Sequence, residues 1–196
     1  MSLRYPVGLE PTHVQSGMMS MVMRREMQQC LERGVPRREI FRRFQGQGIN
    51  DMRLAKQVAT LVSQRRRDDC FLLNWLLIIA VVCLAIFIIA TLEIRAVVYM
   101  PVMANGAALA ILLLSTTHVV GFLRFHFDAY VSCSMVSALC VVIFAMALWL
   151  WPVIAAVGLL VAVINLLLAV LTRRELFPLM GLLDIRKAPN GAFMFE

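Results

Sequence analysis

FLLNWLLIIAVVCLAIFIIATL at residues 71–92 and PVIAAVGLLVAVINLLLAVLT at residues 152–172 contain no charged side chain. Two further apolar runs lie between them, broken only by short segments at Glu93–Arg95, Arg124–Asp128 and Trp149–Pro152. A helix needs about 20 apolar residues to cross the hydrocarbon core, and in lipid every backbone N–H and C=O must be satisfied within the segment. The pattern therefore predicts an all-α, polytopic membrane protein with four transmembrane helices in two hairpins. The spans fall near 71–92, 97–123, 129–149 and 152–172, and Pro101 sits in the first turn of the second, where no intrahelical hydrogen bond is lost.

The rest of the composition agrees. The chain is 61% hydrophobic and 16% charged, with a mean hydropathy of +0.79, which a water-soluble domain of this size does not need. Of its 19 Lys and Arg, 13 lie in residues 1–70 together with 7 of the 12 Asp and Glu, so a basic segment precedes a nearly neutral membrane body. Four segments follow: an extended stretch at 1–17, a basic cytoplasmic helical head at 18–67, the bundle at 71–172, and a cytoplasmic amphipathic tail at 173–196.

Orientation comes from basic residues at the span ends. Arg65, Arg66, Arg67, Arg124, Arg173 and Arg174 collect on one side, whereas the other carries Arg95 alone. Both termini are expected in the cytoplasm, and compactness suggests a bacterial-type inner membrane. Trp75, Tyr99, Tyr130, Trp149 and Trp151 fall near span ends, where amphipathic rings favour the interface.

Within the head, helices are expected over Met18–Arg33, Arg37–Phe44 and Asp51–Arg66, the last capped by Asn50, as a compact three-helix unit or as two helices leading directly into the first span. Ile40, Phe41, Phe44, Ile49, Leu54, Val58, Leu61 and Val62 provide a small core. Over residues 24–62 this arrangement, Gly34-Val35-Pro36 through Gly48-Ile49-Asn50, resembles in outline a helix-turn-helix or a ubiquitin-associated-type three-helix fold, as a shape and not as a family assignment. Arg24, Arg25, Arg33, Arg37, Arg38, Arg42, Arg43, Arg53 and Lys56 could meet phosphates, anionic lipid or an acidic protein. For docking a partner or lipid, the reading singles out Arg37, Arg38, Arg42, Arg43, Arg65, Arg66 and Arg67, with Phe193 and Phe195 of the tail. Nucleic acid is the least favoured partner.

Small and polar residues mark contact faces in the bundle, because lipid supplies no hydrophobic force between helices and close backbone approach must do so. Gly158, Ala162, Asn165 and Ala169 form one such stripe. Ala104, Ala108, Ile111, Ser115 and His118 form a second, while Ala80, Cys83, Phe87 and Ala90, and Ser134 with Ala138, are further candidates. Contacts within the bundle, with other membrane subunits or within a homo-oligomer are all expected uses, and Asn165 should find a partner for its amide.

No catalytic pattern emerges. The five cysteines have no metal-ligand spacing, and neither a disulfide, a metal nor another cofactor is expected. Arg124-Phe125-His126-Phe127-Asp128 alternates aromatic and charged residues as an interfacial anchor does. Beyond Thr172, the apolar Leu176, Phe177, Leu179, Met180, Leu182 and Leu183 should lie on the membrane or against another protein. The reading is a non-enzymatic inner-membrane scaffold or accessory subunit of a multiprotein assembly, such as a secretion or DNA-transfer machine. The alternatives are an oligomeric channel or small-solute transporter lined by Asn105, Ser115 and His118, and a membrane-tethered nucleic-acid binder. Orientation is checked by fusing a reporter active only outside the cytoplasm after Glu196: it should be silent, and activity there contradicts the topology.

Overall fold

The computed structural model describes residues 13–47, 49–96, 101–181 and 193. They form eight helices: α1 (His13–Glu32), α2 (Arg37–Phe44), α3 (Asp51–Ala59), α4 (Gln64–Asp69), α5 (Phe71–Ala96), α6 (Pro101–Leu123), α7 (Phe127–Ala147) and α8 (Pro152–Leu176). Among the described residues there is no strand, and four helices are long and apolar enough to cross a membrane. Large apolar side chains such as Leu72, Ile86, Leu113, Leu139 and Leu160 face outward along them, as lipid-facing surfaces should. The chain is a multi-pass membrane protein.

Local chemistry sets the ends of the helices. Gly34, at φ 81°, closes α1 with Gly34 N–H donating to Leu31 O and Val35 N–H to Cys30 O, a left-handed cap that suits glycine. Asn50 accepts the Met52 N–H at 2.9 Å and starts α3. The end of α6 uses the same pair of bonds, from Phe125 N–H to Phe122 O and from His126 N–H to Gly121 O, but its left-handed residue is Phe125, at φ 52°. A Cβ there is strained, and the Arg67 guanidinium lies over this ring, 5.3 Å from its centroid.

Several expected boundaries move. Helix α1 begins at His13, so 13–17 are helical, while residues 1–12 lie outside the described set. The helix expected over 51–66 stops at Ala59, where the Thr60 hydroxyl turns back onto Lys56 O and Gln57 O, and α4 starts afresh. The break lets consecutive Leu61 and Val62 both point inward, and their carbonyls accept from Arg37 Nη2 (2.7 Å) and Gln28 Nε2 (2.9 Å). Helix α7 is shifted two residues toward the N-terminus, since Ala147 O caps the turn that Pro152 requires. Helix α8 runs to Leu176 because Thr172, Arg173 and Leu176 are buried. The expected start of the second span at 97, and Tyr99, lie outside the described residues.

Two apolar clusters organise the molecule. Met23, Met27, Cys30, Ile40, Phe44, Leu54, Val58 and Leu61 join α1, α2 and α3. The second cluster brings Ala55, Ala59 and Val62 against Cys70, Leu77, Phe122, Phe127, Tyr130, Ala169, Leu176, Phe177 and Met180, so the N-terminal helices are packed onto the span ends. Phe177, Leu179 and Met180 after α8 are accordingly buried against their own chain, where a surface on lipid or a foreign partner was expected; Leu182 and Leu183 lie outside the described residues. Phe193 likewise packs on its own chain, meeting Phe41 edge-on at 5.9 Å.

Glycine approach gives a direct test of the bundle. A Cβ added to Gly121 would collide with the rigid Ala129 Cβ of α7, whereas one on Gly158 would meet only the Phe144 ring, which can swing. Gly121→Ala should cost about 1–3 kcal/mol of stability and Gly158→Ala less, measured by thermal unfolding in detergent.

Candidate functional site

The polar chemistry of the bundle is organised as three interhelical contacts. Nearest the N-terminal helices, Tyr130 donates to Asn74 Oδ1 at 2.7 Å, and Asn74 Nδ2 donates to Phe122 O at 3.2 Å, linking α7, α5 and α6. All three groups are buried, and Phe122 O, near the end of α6, accepts this bond in addition to the one from Phe125 N–H. Farther along, His118 Nε2 lies 2.9 Å from Ser132 Oγ, joining α6 to α7. In the third contact Asn165 Nδ2 donates to Ser137 Oγ at 2.9 Å, and that hydroxyl donates in turn to Cys133 O.

The stripes expected from sequence meet different fates. Gly158, Ala162, Asn165 and Ala169 are all buried on α8. On α6, Ala104 and His118 are buried and Ala108 and Ser115 half-buried, but Asn105 is exposed and stands away from the face it was expected to share with Ser115 and His118. On α5 the expected Cys83 and Ala90 are exposed, and the buried face is Asn74, Leu77, Ile78, Val81, Leu84 and Ala85. On α7 the contact face is Phe127, Tyr130, Cys133 and Ser137 rather than Ser134 and Ala138. Phe144 fills the space beside Gly158, so smallness marks only one partner of that contact. Asn74 was missed, and Tyr130, expected at the interface, is fully buried; a polar residue one turn inside an apolar run was the available signal.

Two clefts accompany these contacts. A cavity of about 130 Å³ lies among α5, α6, α7 and α8, with Ser115, His118, Ser137 and Asn165 on its wall. Asn165 is only 2% exposed, and its Oδ1 has no hydrogen-bond partner among the described residues. A second cleft, about 250 Å³, opens between the N-terminal helices and the start of α7, lined by Arg24, Arg53, Lys56, Gln57, Thr60, His126, Phe127 and Asp128. No group of three or more His, Cys, Asp or Glu that could hold a metal occurs among the described residues.

The basic residues divide into braces and free surface. Arg37 is half-buried on the Leu61 carbonyl, and burial together with the Arg66 charge pushes its guanidinium down to about 10, still protonated near neutrality. Arg66 and Arg67 are half-buried, while Arg38, Arg42, Arg43 and Arg65 are exposed. Phe193 is half-buried on Phe41, and Phe195 lies outside the described residues. At the junction, burial, reinforced by Glu175 and Asp69, pushes the Cys70 thiol up, so it stays neutral and poorly nucleophilic.

Comparison of the chain with protein-family models, with curated proteins and with solved structures found no match. The site therefore rests on its own geometry. Tyr130→Phe and Asn74→Leu should each destabilise the detergent-solubilised protein, and a double-mutant cycle should give a coupling of about 0.6–2 kcal/mol; additive effects would deny the link.

Proposed function

We propose that the chain is a non-enzymatic scaffold or accessory subunit of a multiprotein assembly in a bacterial-type inner membrane, of the secretion or DNA-transfer kind. Both termini face the cytoplasm in this reading, and the N-terminal helices present a basic surface to an acidic protein partner. The observation that carries it is the division of labour among the arginines. Arg37 braces the fold, whereas Arg38, Arg42 and Arg43 leave the same short helix exposed. A surface anchored through a shared core to the span ends holds a fixed position relative to the membrane, as a docking platform requires. The interhelical hydrogen bonds of the bundle support packing as the use of its polar groups.

A second reading, an oligomeric channel or small-solute transporter, is favoured by one observation: the cavity beside Asn165, whose Oδ1 is unpartnered. The two readings separate on purification in mild detergent. A scaffold should bring down a stoichiometric protein, and the triple variant Arg38→Glu, Arg42→Glu, Arg43→Glu should weaken that association about tenfold or more while leaving thermal stability unchanged. A clean homo-oligomer that releases solute from liposomes would reverse the assignment.

A further inference from the structure

The cleft between the N-terminal helices and α7 gathers charge that the docking surface does not use. Arg24 comes from α1, Arg53 and Lys56 from α3, and His126 from the residue before α7. Asp128 is the single carboxylate on its wall, so three fixed cations leave two positive charges uncompensated with His126 neutral. Among the described residues none of Arg24, Arg53, Lys56 and Asp128 is in an ion pair. The first turn of α7 forms one wall, and the His126 side chain does not cap it; the start of a 21-residue helix favours an anion. Gln57 Oε1, a buried acceptor with no partner, lies on a residue of the opposite wall.

Position selects the source of the anion. Phe127 on the wall of the cleft is also the first residue of a candidate membrane span, and Leu123, at the end of α6, is exposed beside the loop that carries His126. The cleft therefore sits where the apolar span ends, at the depth of lipid headgroups. We propose that it binds the phosphate of an anionic phospholipid bearing headgroup hydroxyls. Arg24, Arg53, Lys56 and the α7 N-terminus hold the phosphate, and a hydroxyl donates to Asp128. A zwitterionic headgroup would leave the surplus positive charge unmatched. The site depends on the packing of α1 and α3 against the start of α7, not on which side of the membrane they face or on a protein partner.

The test is native mass spectrometry of the full chain in detergent micelles titrated with phosphatidylglycerol, phosphatidylethanolamine or phosphatidylcholine, with inorganic phosphate as competitor. Phosphatidylglycerol should be retained preferentially. Arg53→Gln with Lys56→Gln should weaken it by about fivefold for each cation removed, and Arg24→Gln, at an exposed position, by about fivefold alone. The charge-matched pair Arg25→Gln with Arg33→Gln should leave retention unchanged, and millimolar inorganic phosphate should not displace the lipid. Equal retention of the three lipids, or equal losses in the control and cleft variants, would overturn the site. Displacement by phosphate would overturn the lipid assignment in favour of a free anion. Circular dichroism confirms folding, and should the double variant unfold, Arg24→Gln decides.

Discussion

The hydrogen-bonded chain from Tyr130 through Asn74 to the Phe122 carbonyl ties three spans together at the level where the N-terminal helices meet them. A polar side chain in an apolar helix is costly unless satisfied, and the last carbonyls of a helix need partners that the helix cannot supply. Asn74 is satisfied on both sides, and Phe122 O takes its bond as a second one beside that from Phe125 N–H. Around it the core of Leu77, Phe122, Phe127, Tyr130 and Phe177 receives Ala55, Ala59 and Val62 from outside the bundle, so the N-terminal helices and the four long apolar helices share one interior. The same physics recurs at His118 with Ser132 and at Asn165 with Ser137.

That shared interior changes what the surface arginines mean. Arg37 and Gln28 cap the carbonyls of Leu61 and Val62, converting a broken helix into a buried corner, and Arg67 lies over the strained Phe125. The basic residues outside these braces are fewer than their count suggests: Arg38, Arg42 and Arg43 are exposed on α2, and Arg24, Arg53 and Lys56 line the cleft against the start of α7. The proposed protein-docking and lipid-binding surfaces are then separate faces of the same three helices.

Apolar length and charge placement were enough to read four spans directly, because the bilayer demands about 20 uncharged residues per crossing whatever the neighbours do. The Asn50 cap and the stripe of Gly158, Ala162, Asn165 and Ala169 were legible for a similar reason, since each is encoded within one turn or one face of a single helix. The contact faces of α5 and α7 were not, because their large buried residues look like lipid-facing ones until a small-residue partner is placed beside them. The break at Thr60–Ser63 depends on Arg37 and Gln28, 24 and 34 residues away from the carbonyls they satisfy.

Sequence alone thus determined that the chain is helical, that it spans a membrane four times, and where its basic residues concentrate, all of them consequences of local composition meeting a fixed solvent. Only the tertiary structure decided which arginines are structural, where Phe177, Leu179 and Met180 pack, and which polar side chains pair. Those outcomes depend on distances between residues far apart in the chain, and packing fixes such distances where periodicity cannot.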